Sequence, residues 1–276
     1  MENIKLVIHI ADIHIRPFQR LEEYTDKLNK LSEKIEELVK PYKYEEVKIV
    51  IAGDIVHSKL TISNELIAFV SSWIRELEKY GSIIAISGNH DLVVDNKSRV
   101  DTLTAIFTAA KFENAVHLDS YLGFDSGIIV EGNVTWALYS IFTDFKRPNI
   151  EQAREDYPNN IVIGLYHGTV VGATLNNGTV MDSGIDGDIF EGCDFVMAGD
   201  IHKRQVIKRG DCEIVYPGSL IQQTFGETIT QHGFAVWDLE KKEYKFVDLP
   251  QDYELCDFEI KSPEDIDENK EILVNY

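Results

Sequence analysis

The sequence has few cysteines and no long apolar run. Its three cysteines, Cys193, Cys212 and Cys256, are widely spaced and form no C-x-x-C pair. This pattern is typical of a reducing compartment, and it excludes both a disulfide framework and a cysteine zinc site. The longest apolar runs, such as residues 49–52 and 161–165, have the length of a strand, whereas a membrane helix needs about 20 residues. The N-terminus also lacks the apolar region of a signal peptide, so we expect a cytoplasmic protein without a membrane role.

Positive charge is also scarce. The 276 residues contain 27 Lys and Arg against 47 Asp and Glu, for a formal net charge of −20. A protein that holds nucleic acid by bulk electrostatics would be basic, so the overall charge argues against that kind of binding. One local basic run stands out at residues 202–209. Taken alone, this run is more typical of a solvated hairpin edge.

The order of apolar segments predicts an α/β layered fold. In the first half, predicted strands at residues 5–11, 47–52 and 83–86 alternate with predicted helices at 21–38, 61–80 and 101–111. Further along, short strands meet at turn sequences; they are predicted at residues 128–131, 134–138, 161–165, 194–198, 205–208, 213–216, 233–239 and 244–249. We therefore expect one folded unit over residues 1–250. Residues 251–276 are acidic and weakly periodic, which predicts a tail or the beginning of a further domain.

Short polar clusters follow five of the predicted strands, at the position where ligands gather in open α/β sheets. They contain Asp12 and His14; Asp54 and His57; Asn89, His90 and Asp91; His167; and Asp200 and His202. Alternate residues of an extended segment point the same way, so each Asp-x-His pair is expected to reach one ion. Oxygen and imidazole donors without thiolate suit Mn²⁺, Fe²⁺, Zn²⁺ or Mg²⁺. The donors are too many for one ion, and they suit a pair about 3.5–4 Å apart that activates water against a phosphate ester.

Each cluster has a simpler interpretation when it is taken alone. An Asp-x-His after a strand is more often a cap or a turn, and G-N-H-D is compatible with an Asx-turn ahead of a helix. Five such clusters in order, all at strand ends, favour the metal site.

The order of these segments resembles that of the calcineurin-like metallophosphoesterases. Within them, the sequence is similar to the SbcD family, which includes the meiotic-recombination-eleven nucleases. The segments that carry this closer resemblance are G-D-I-V-H-S at residues 53–58, G-D-I-H-K-R at 199–204, and Y-P-G-S at 216–219 with F-G-E at 225–227. The similarity runs from residue 5 to residue 249. It implies a four-layer α-β-β-α sandwich with two mixed sheets flanked by helices, followed by a DNA-capping domain, which would begin near residue 251.

The resemblance also implies the role of each site residue. One ion would be held by Asp12, His14, Asp54 and His202, and the second by Asp54, Asn89, His167 and Asp200, with Asp54 as the bridge. Hydroxide would attack phosphorus in line, His90 would stabilise the transition state or protonate the leaving oxygen, and His57 would orient His90. Asp200 departs from the family, which usually has histidine there. The aspartate makes the site harder and more negative, and leaves the metal preference open.

Three functions are compatible with this pattern. The first is an SbcD-like, manganese-dependent DNA nuclease for double-strand-break processing or recombination, acting on duplex ends and single strands with a coiled-coil ABC ATPase of the SbcC type. Basic residues near the ligand segments would then contact DNA phosphates; they are Arg16, Arg20, Lys97, Arg99, Lys203 and Arg204. The second is a phosphoesterase for a nucleotide or another small phosphoester, which the acidic charge favours. The third is a catalytically idle scaffold for the ATPase, against which His90 and the full ligand set argue.

A homodimer is also predicted. The helices at residues 61–80 and 101–111 carry more large apolar residues than a helix covering one side of a sheet needs to bury. These residues are Leu66, Phe69, Val70, Trp73, Leu103, Ile106 and Phe107. The family pairs its nuclease domains through comparable helices, so the prediction rests partly on the resemblance. The alternative is that all of these side chains lie in the core of one chain.

Overall fold

Two six-stranded β-sheets form the centre of the part of the chain described by the computed structural model, residues 2–16, 18–60, 62–255 and 261–262. The strands are β1 Leu6–Ile10, β2 Val47–Ala52, β3 Ser82–Ile86, β4 Ala115–His117, β5 Gly127–Glu131, β6 Val134–Tyr139, β7 Ile161–His167, β8 Phe195–Gly199, β9 Gln205–Arg209, β10 Cys212–Tyr216, β11 Gly233–Asp238 and β12 Glu243–Asp248. The α-helices are α1 Leu21–Val39, α2 Asn64–Leu77, α3 Thr102–Ala110, α4 Leu118–Tyr121 and α5 Ile150–Asp156. Short 3-10 helices span Tyr44–Glu46, Val94–Asn96, Ile141–Thr143 and Gly187–Phe190.

Both sheets are mixed. The first has the order β12-β11-β1-β2-β3-β4, in which β1 to β4 are parallel and β11 is antiparallel to both of its neighbours. The second has the order β5-β6-β7-β8-β10-β9, with a parallel centre and antiparallel edge strands. Because parallel strands end at the same edge of a sheet, the segments that follow β1, β2, β3, β7 and β8 are brought to the carboxyl edges of the two sheets.

Three apolar layers separate the elements. Alternate residues of a strand face opposite sides of the sheet, so Ile8 packs towards helices α1 to α3 while Val7 packs between the sheets. Trp136 and Trp237 fill the layer between the sheets. Phe190 and Ile214 belong to the third layer, on the outer face of the second sheet. The predicted four-layer α-β-β-α sandwich with two mixed sheets is therefore confirmed.

The two helices predicted to form a dimer are more buried in the single chain than the prediction assumed. Five of the seven apolar side chains are at most 5% exposed, namely Leu66, Val70, Trp73, Leu103 and Ile106, and Phe69 and Phe107 are partly buried against the same cluster. Helices α2 and α3 also pack against each other, which accounts for apolar residues beyond those facing the sheet. The apolar excess is thus explained by the core, and the homodimer stays a prediction without this support.

The division at residue 250 also stays a prediction, since most of residues 251–276 lie outside the described residues. Those that are described pack on the sandwich: the Gln251 side chain donates to the Leu220 carbonyl, and Leu255 N–H donates to Gln222 Oε1. Within the described part of the chain, no helix has the length and apolar character needed to cross a bilayer.

Candidate metal centre

All seven predicted ligands lie at the carboxyl edges of the two sheets. Asp12 and His14 follow β1, Asp54 follows β2, Asn89 follows β3, His167 ends β7, and Asp200 and His202 follow β8. The first sheet therefore supplies four of the side chains and the second sheet supplies three. The parallel strand order explains this convergence, as the sequence predicted.

The backbone of the ligand segments is not extended, which corrects the expectation that strand alternation directs each Asp-x-His pair at one ion. The φ angles of Asp12, His14 and Asp54 are 53°, 54° and 54°, and that of Asp200 is 96°. Such left-handed conformations cost a non-glycine residue on the order of 1–3 kcal/mol each and cluster at functional sites. The Asp-x-His pairs therefore do not follow strand alternation. Gly88 makes the close approach of the segments feasible, because a Cβ there would collide with the Asp54 carboxylate.

One group of ligand atoms converges between the two sheets. Ligand atoms of Asp12, His14 and His202 lie within 4.8 Å of one another, and the two histidine Nε2 atoms are 3.0 Å apart. His202 Nδ1 donates to Glu227 Oε1 at 2.8 Å, which leaves the lone pair on Nε2 directed at the shared point. Asp54 Oδ2 is 3.4 Å from His14 Nε2. Two ring nitrogens and carboxylate oxygens around one point fit a divalent cation.

A second group lies on the other side of Asp54. Asp54 Oδ1 is 3.4 Å from His167 Nε2, and His167 Nδ1 donates to the Ala52 carbonyl at 2.7 Å. Among the described residues, His167 Nε2 and Asn89 Oδ1 are buried without a hydrogen-bond partner. A buried polar atom left unpaired costs about 1–3 kcal/mol, so both atoms call for a ligand. The residues present therefore fit two ions, with one Asp54 oxygen facing each group.

Burial and close packing shift the pKa values of these groups strongly. Burial raises the pKa of Asp12 to about 7 and lowers the pKa of His14 well below its usual value. Burial would also raise the pKa of Asp54, but His167 and the other histidines hold it below the ordinary range. Burial opposes protonation of His167, yet Asp54 and Asp12 raise its pKa well above 6.5. The raised pKa values of Asp12 and His167 therefore favour protons at two positions that a cation would bind.

His90 lies beside the two groups of ligand atoms and is held there by the backbone of His57. His90 Nδ1 donates to the His57 carbonyl at 2.7 Å, and the two rings stack with centroids 5.2 Å apart. These two contacts, with the His57 carbonyl and with its ring face, are the ones through which the predicted orienting role of His57 would act. Burial and the adjacent Arg16, whose Nη2 is 3.4 Å from His57 Nδ1, lower the pKa of His57 to about 4. His57 is therefore neutral near pH 7, and the catalytic roles of both histidines stay predictions.

Asp200 is engaged by its neighbours. Its Oδ2 accepts a hydrogen bond of 2.7 Å from Thr169 Oγ1, and its backbone N–H donates to Asp12 Oδ1 at 2.9 Å. The converging groups found among the described histidines and acids do not include its carboxylate. Ligation of the second ion by Asp200 stays a prediction, while its N–H positions the Asp12 carboxylate.

Two acids that support the site were not assigned a role from the sequence. The buried Asp91 carboxylate accepts the N–H groups of Asp54, Val56 and Gly88 at 2.8, 3.1 and 2.9 Å, which joins two ligand segments. Glu227 orients His202, as described above. Both belong to segments that carried the resemblance, G-N-H-D and F-G-E, and a carboxylate beside a ligand histidine is a common arrangement at metal sites.

The basic residues predicted to contact DNA fall into two sets. Three form ion pairs within the chain, at 2.5–2.6 Å: Arg20 with Glu23, Lys97 with Asp144, and Arg204 with Asp248. The others do not form such a pair within the described residues; they are Arg16 against His57, Arg99 on the exposed loop after His90, and Lys203 beside His202. Contacts of all six with DNA stay predictions.

Comparison with known proteins identifies the family to which this chain belongs. The chain is 32% identical over 269 residues to an uncharacterized protein of Acanthamoeba polyphaga mimivirus; the match covers 93% of this chain but only 19% of that protein, so the chain spans about a fifth of its relative. A solved archaeal phosphodiesterase aligns with 15% identity and a TM-score of 0.43, over 88% of this chain and 99% of its own. The calcineurin-like phosphoesterase family matches residues 5–204, which include every ligand segment from Asp12 to His202, and the chain belongs to that family.

Proposed function

We propose that the protein is a two-metal phosphodiesterase that hydrolyses DNA in the manner of the SbcD nucleases. The observation that carries the proposal is the position of Asp54, whose two oxygens each face one group of ligand atoms, at 3.4 Å from His14 and from His167. Members of the family typically use two metal ions, and a carboxylate shared between two ions is the usual core of such a centre.

In this proposal, different residues of the chain have different roles in hydrolysis. When bound, the two divalent ions polarise the phosphate and activate water. His90 presents Nε2 because its Nδ1–H is held by the His57 carbonyl. A water that releases one proton to solvent would bond through its oxygen to phosphorus as the P–O bond to the sugar breaks, and His90 would donate its Nε2 proton to the leaving oxygen. Arg16, whose Nε is buried without a partner among the described residues, is the proposed partner of the substrate phosphate.

Support for DNA as the substrate comes from the segments that resemble the SbcD branch, and from cations beside the site that form no ion pair with the acids of the described residues. Lys203 lines a groove together with Asp200 and His202, and Arg16 contacts His57. Manganese is the proposed ion, with Mg²⁺, Fe²⁺ and Zn²⁺ as alternatives for the same donors. An SbcC-type ATPase and a second copy of this chain are the proposed partners, from the resemblance alone.

The net charge of −20 favours a second candidate, a phosphoesterase for a nucleotide or another small ester. The deciding experiment incubates the protein with Mn²⁺ and four substrates: labelled duplex DNA, labelled single-stranded DNA, bis(p-nitrophenyl) phosphate and p-nitrophenyl phosphate. We expect cleavage of both DNA forms and of the diester, lost on addition of chelator. Glu37→Gln, an exposed change on α1, is the control variant. Hydrolysis of the small esters alone would refute the DNA substrate, and no hydrolysis by metal-loaded protein would favour the idle scaffold.

A further inference from the structure

We propose that a groove beside His202 binds a single nucleotide that adjoins the scissile phosphate, with Asn176 contacting its base and Lys203 its outer phosphate. This inference rests on the proposed function and names the substrate contacts of the same site. The groove has a volume of about 330 Å³ and includes Asp200 and His202. Ligand pockets occupy about 300–1,000 Å³, so this groove has room for one nucleotide.

The first wall of the groove is a small hairpin between Thr174 and Val180, which form a β-bridge. Gln205 anchors this hairpin to the second sheet, because its side chain accepts from Thr174 N–H at 2.8 Å and donates to the Thr174 carbonyl at 2.9 Å. Asn176 lies at the tip, half-buried, and within the described residues its amide makes no hydrogen bond. An amide offers two donors and an acceptor, which match the edge of a base.

The second wall is the segment from Thr224 to Gly226, and it is tied to a metal ligand. Glu227 accepts from Gln223 N–H at 2.8 Å, from the Thr224 hydroxyl at 3.3 Å and from His202. The wall is therefore fixed relative to the ion that His202 would hold.

The charged side chains at the groove determine the orientation that we propose for the nucleotide. Lys203 lines the groove, and its ammonium forms no ion pair with any described acid, in a chain with a net charge of −20. Its neighbour Arg204 is neutralised by Asp248, at 2.5 Å. An unneutralised ammonium beside a metal centre attracts a phosphate. Asp200 lines the same groove, but its Oδ2 already accepts a hydrogen bond from the Thr169 hydroxyl.

The test measures binding and hydrolysis separately. Binding of a fluorescein-labelled thymidine trinucleotide to the Mn²⁺-loaded protein is measured for Asn176→Ala and Lys203→Ala. Each variant is expected to raise Kd about tenfold, the scale of one lost hydrogen bond to a charged or polar partner. Lys208→Ala is the matched control, because this lysine is on strand β9 and pairs with Glu213 outside the groove; its Kd is expected to match that of the unmodified protein. An unchanged Kd in both groove variants overturns the proposal.

Hydrolysis of two chromogenic diesters separates the groove from the proposed function. The unmodified protein is expected to prefer p-nitrophenyl thymidine 5′-phosphate over bis(p-nitrophenyl) phosphate in kcat/KM, and Asn176→Ala is expected to reduce that ratio about tenfold, mainly through KM. Equal loss on both esters would mean that Asn176 supports the metal centre, and it overturns the proposal. DNA cleavage and nucleotide binding can also give different answers. If the protein does not cleave DNA, but trinucleotide binding depends on Asn176 and Lys203 and the ester preference depends on Asn176, then the proposed DNA substrate is wrong and the nucleotide-binding groove is supported.

Discussion

Replacing Glu227 tests how far the metal centre depends on a residue that binds no ion. In Glu227→Gln the side chain keeps its shape, but one carboxylate oxygen becomes an amide NH₂. Glu227 Oε2 accepts from Gln223 N–H at 2.8 Å, Oε1 accepts from His202 Nδ1 at 2.8 Å and from the Thr224 hydroxyl at 3.3 Å, and the side chain is only 3% exposed. The two strongest of these donors, His202 and Gln223, approach different oxygens. Whichever way the amide is turned, its NH₂ faces one of these two donors. If it faces His202, the ring proton moves to Nε2, and the lone pair directed at the ion is lost.

The expected magnitude follows from this conflict. A buried hydrogen bond to a charged group contributes about 1.5–3 kcal/mol, and loss of a carboxylate behind a ligand histidine weakens metal binding about 10–100-fold, or about 1.4–2.7 kcal/mol. We therefore expect Glu227→Gln to weaken Mn²⁺ binding at the His14 and His202 group by that factor, and Glu227→Ala to reach the upper end.

The assay is titration of metal-free protein with Mn²⁺ against a chelator of known affinity, with circular dichroism to establish that each variant is folded. Glu213→Gln is the matched control, since that glutamate pairs with Lys208 on the surface. The reasoning is refuted if folded Glu227→Gln binds both ions as tightly as the unmodified protein while His202→Ala does not.

Four further outcomes are expected. Asp54→Ala abolishes hydrolysis and lowers metal content at both groups, and DNA cleavage that persists in this variant would contradict the two-metal model. His90→Ala lowers turnover about 10²–10⁴-fold at unchanged metal content, and a parallel loss of metal would make His90 a ligand. Asp200→His stays folded and active, binds DNA phosphate more tightly and tolerates Mg²⁺ less well. Asp200→Ala loses the second ion, and unchanged metal content in this variant would refute ligation of that ion by Asp200. Metal affinity rises with pH, because the raised pKa values of His167 and of Asp12 (about 7) leave protons that the ions must displace. Calorimetry of metal binding in two buffers of different ionisation enthalpy measures the protons released. Identical binding heats in the two buffers would contradict this.

The location of the candidate site could be predicted from the sequence because it depends on strand order. The buried strand β8 is apolar along its whole length, and β1 is apolar except for the buried His9; the next polar residues after each strand mark the carboxyl edge of a sheet. The positions of Asp12 and His202 follow from that rule. Their side-chain directions do not, since they depend on left-handed backbone at Asp12, His14 and Asp200 that strand alternation does not describe.

Contacts between loops were beyond the reach of the sequence pattern for the same reason. Asp91 links the segments after β2 and β3, and Glu227 meets His202 across a loop. Such contacts depend on how each loop turns, which neither periodicity nor composition encodes. The apolar residues of α2 and α3 were misleading in a related way. Sequence periodicity shows that Phe69 and Phe107 are on apolar faces, but it cannot distinguish a neighbouring helix of the same chain from a second copy.

The acidic charge and a DNA substrate are compatible if recognition is local. Arg20, Lys97 and Arg204 are neutralised within the chain and add little to the field around the site. Binding then depends on the ions and on a few cations such as Arg16 and Lys203, rather than on a broad basic surface. Each phosphate contact contributes a slope of about −0.7 to −0.9 to the dependence of log K on log salt concentration. A site with so few contacts should bind DNA weakly and with a shallow salt dependence, and a partner ATPase would then supply most of the affinity for long DNA.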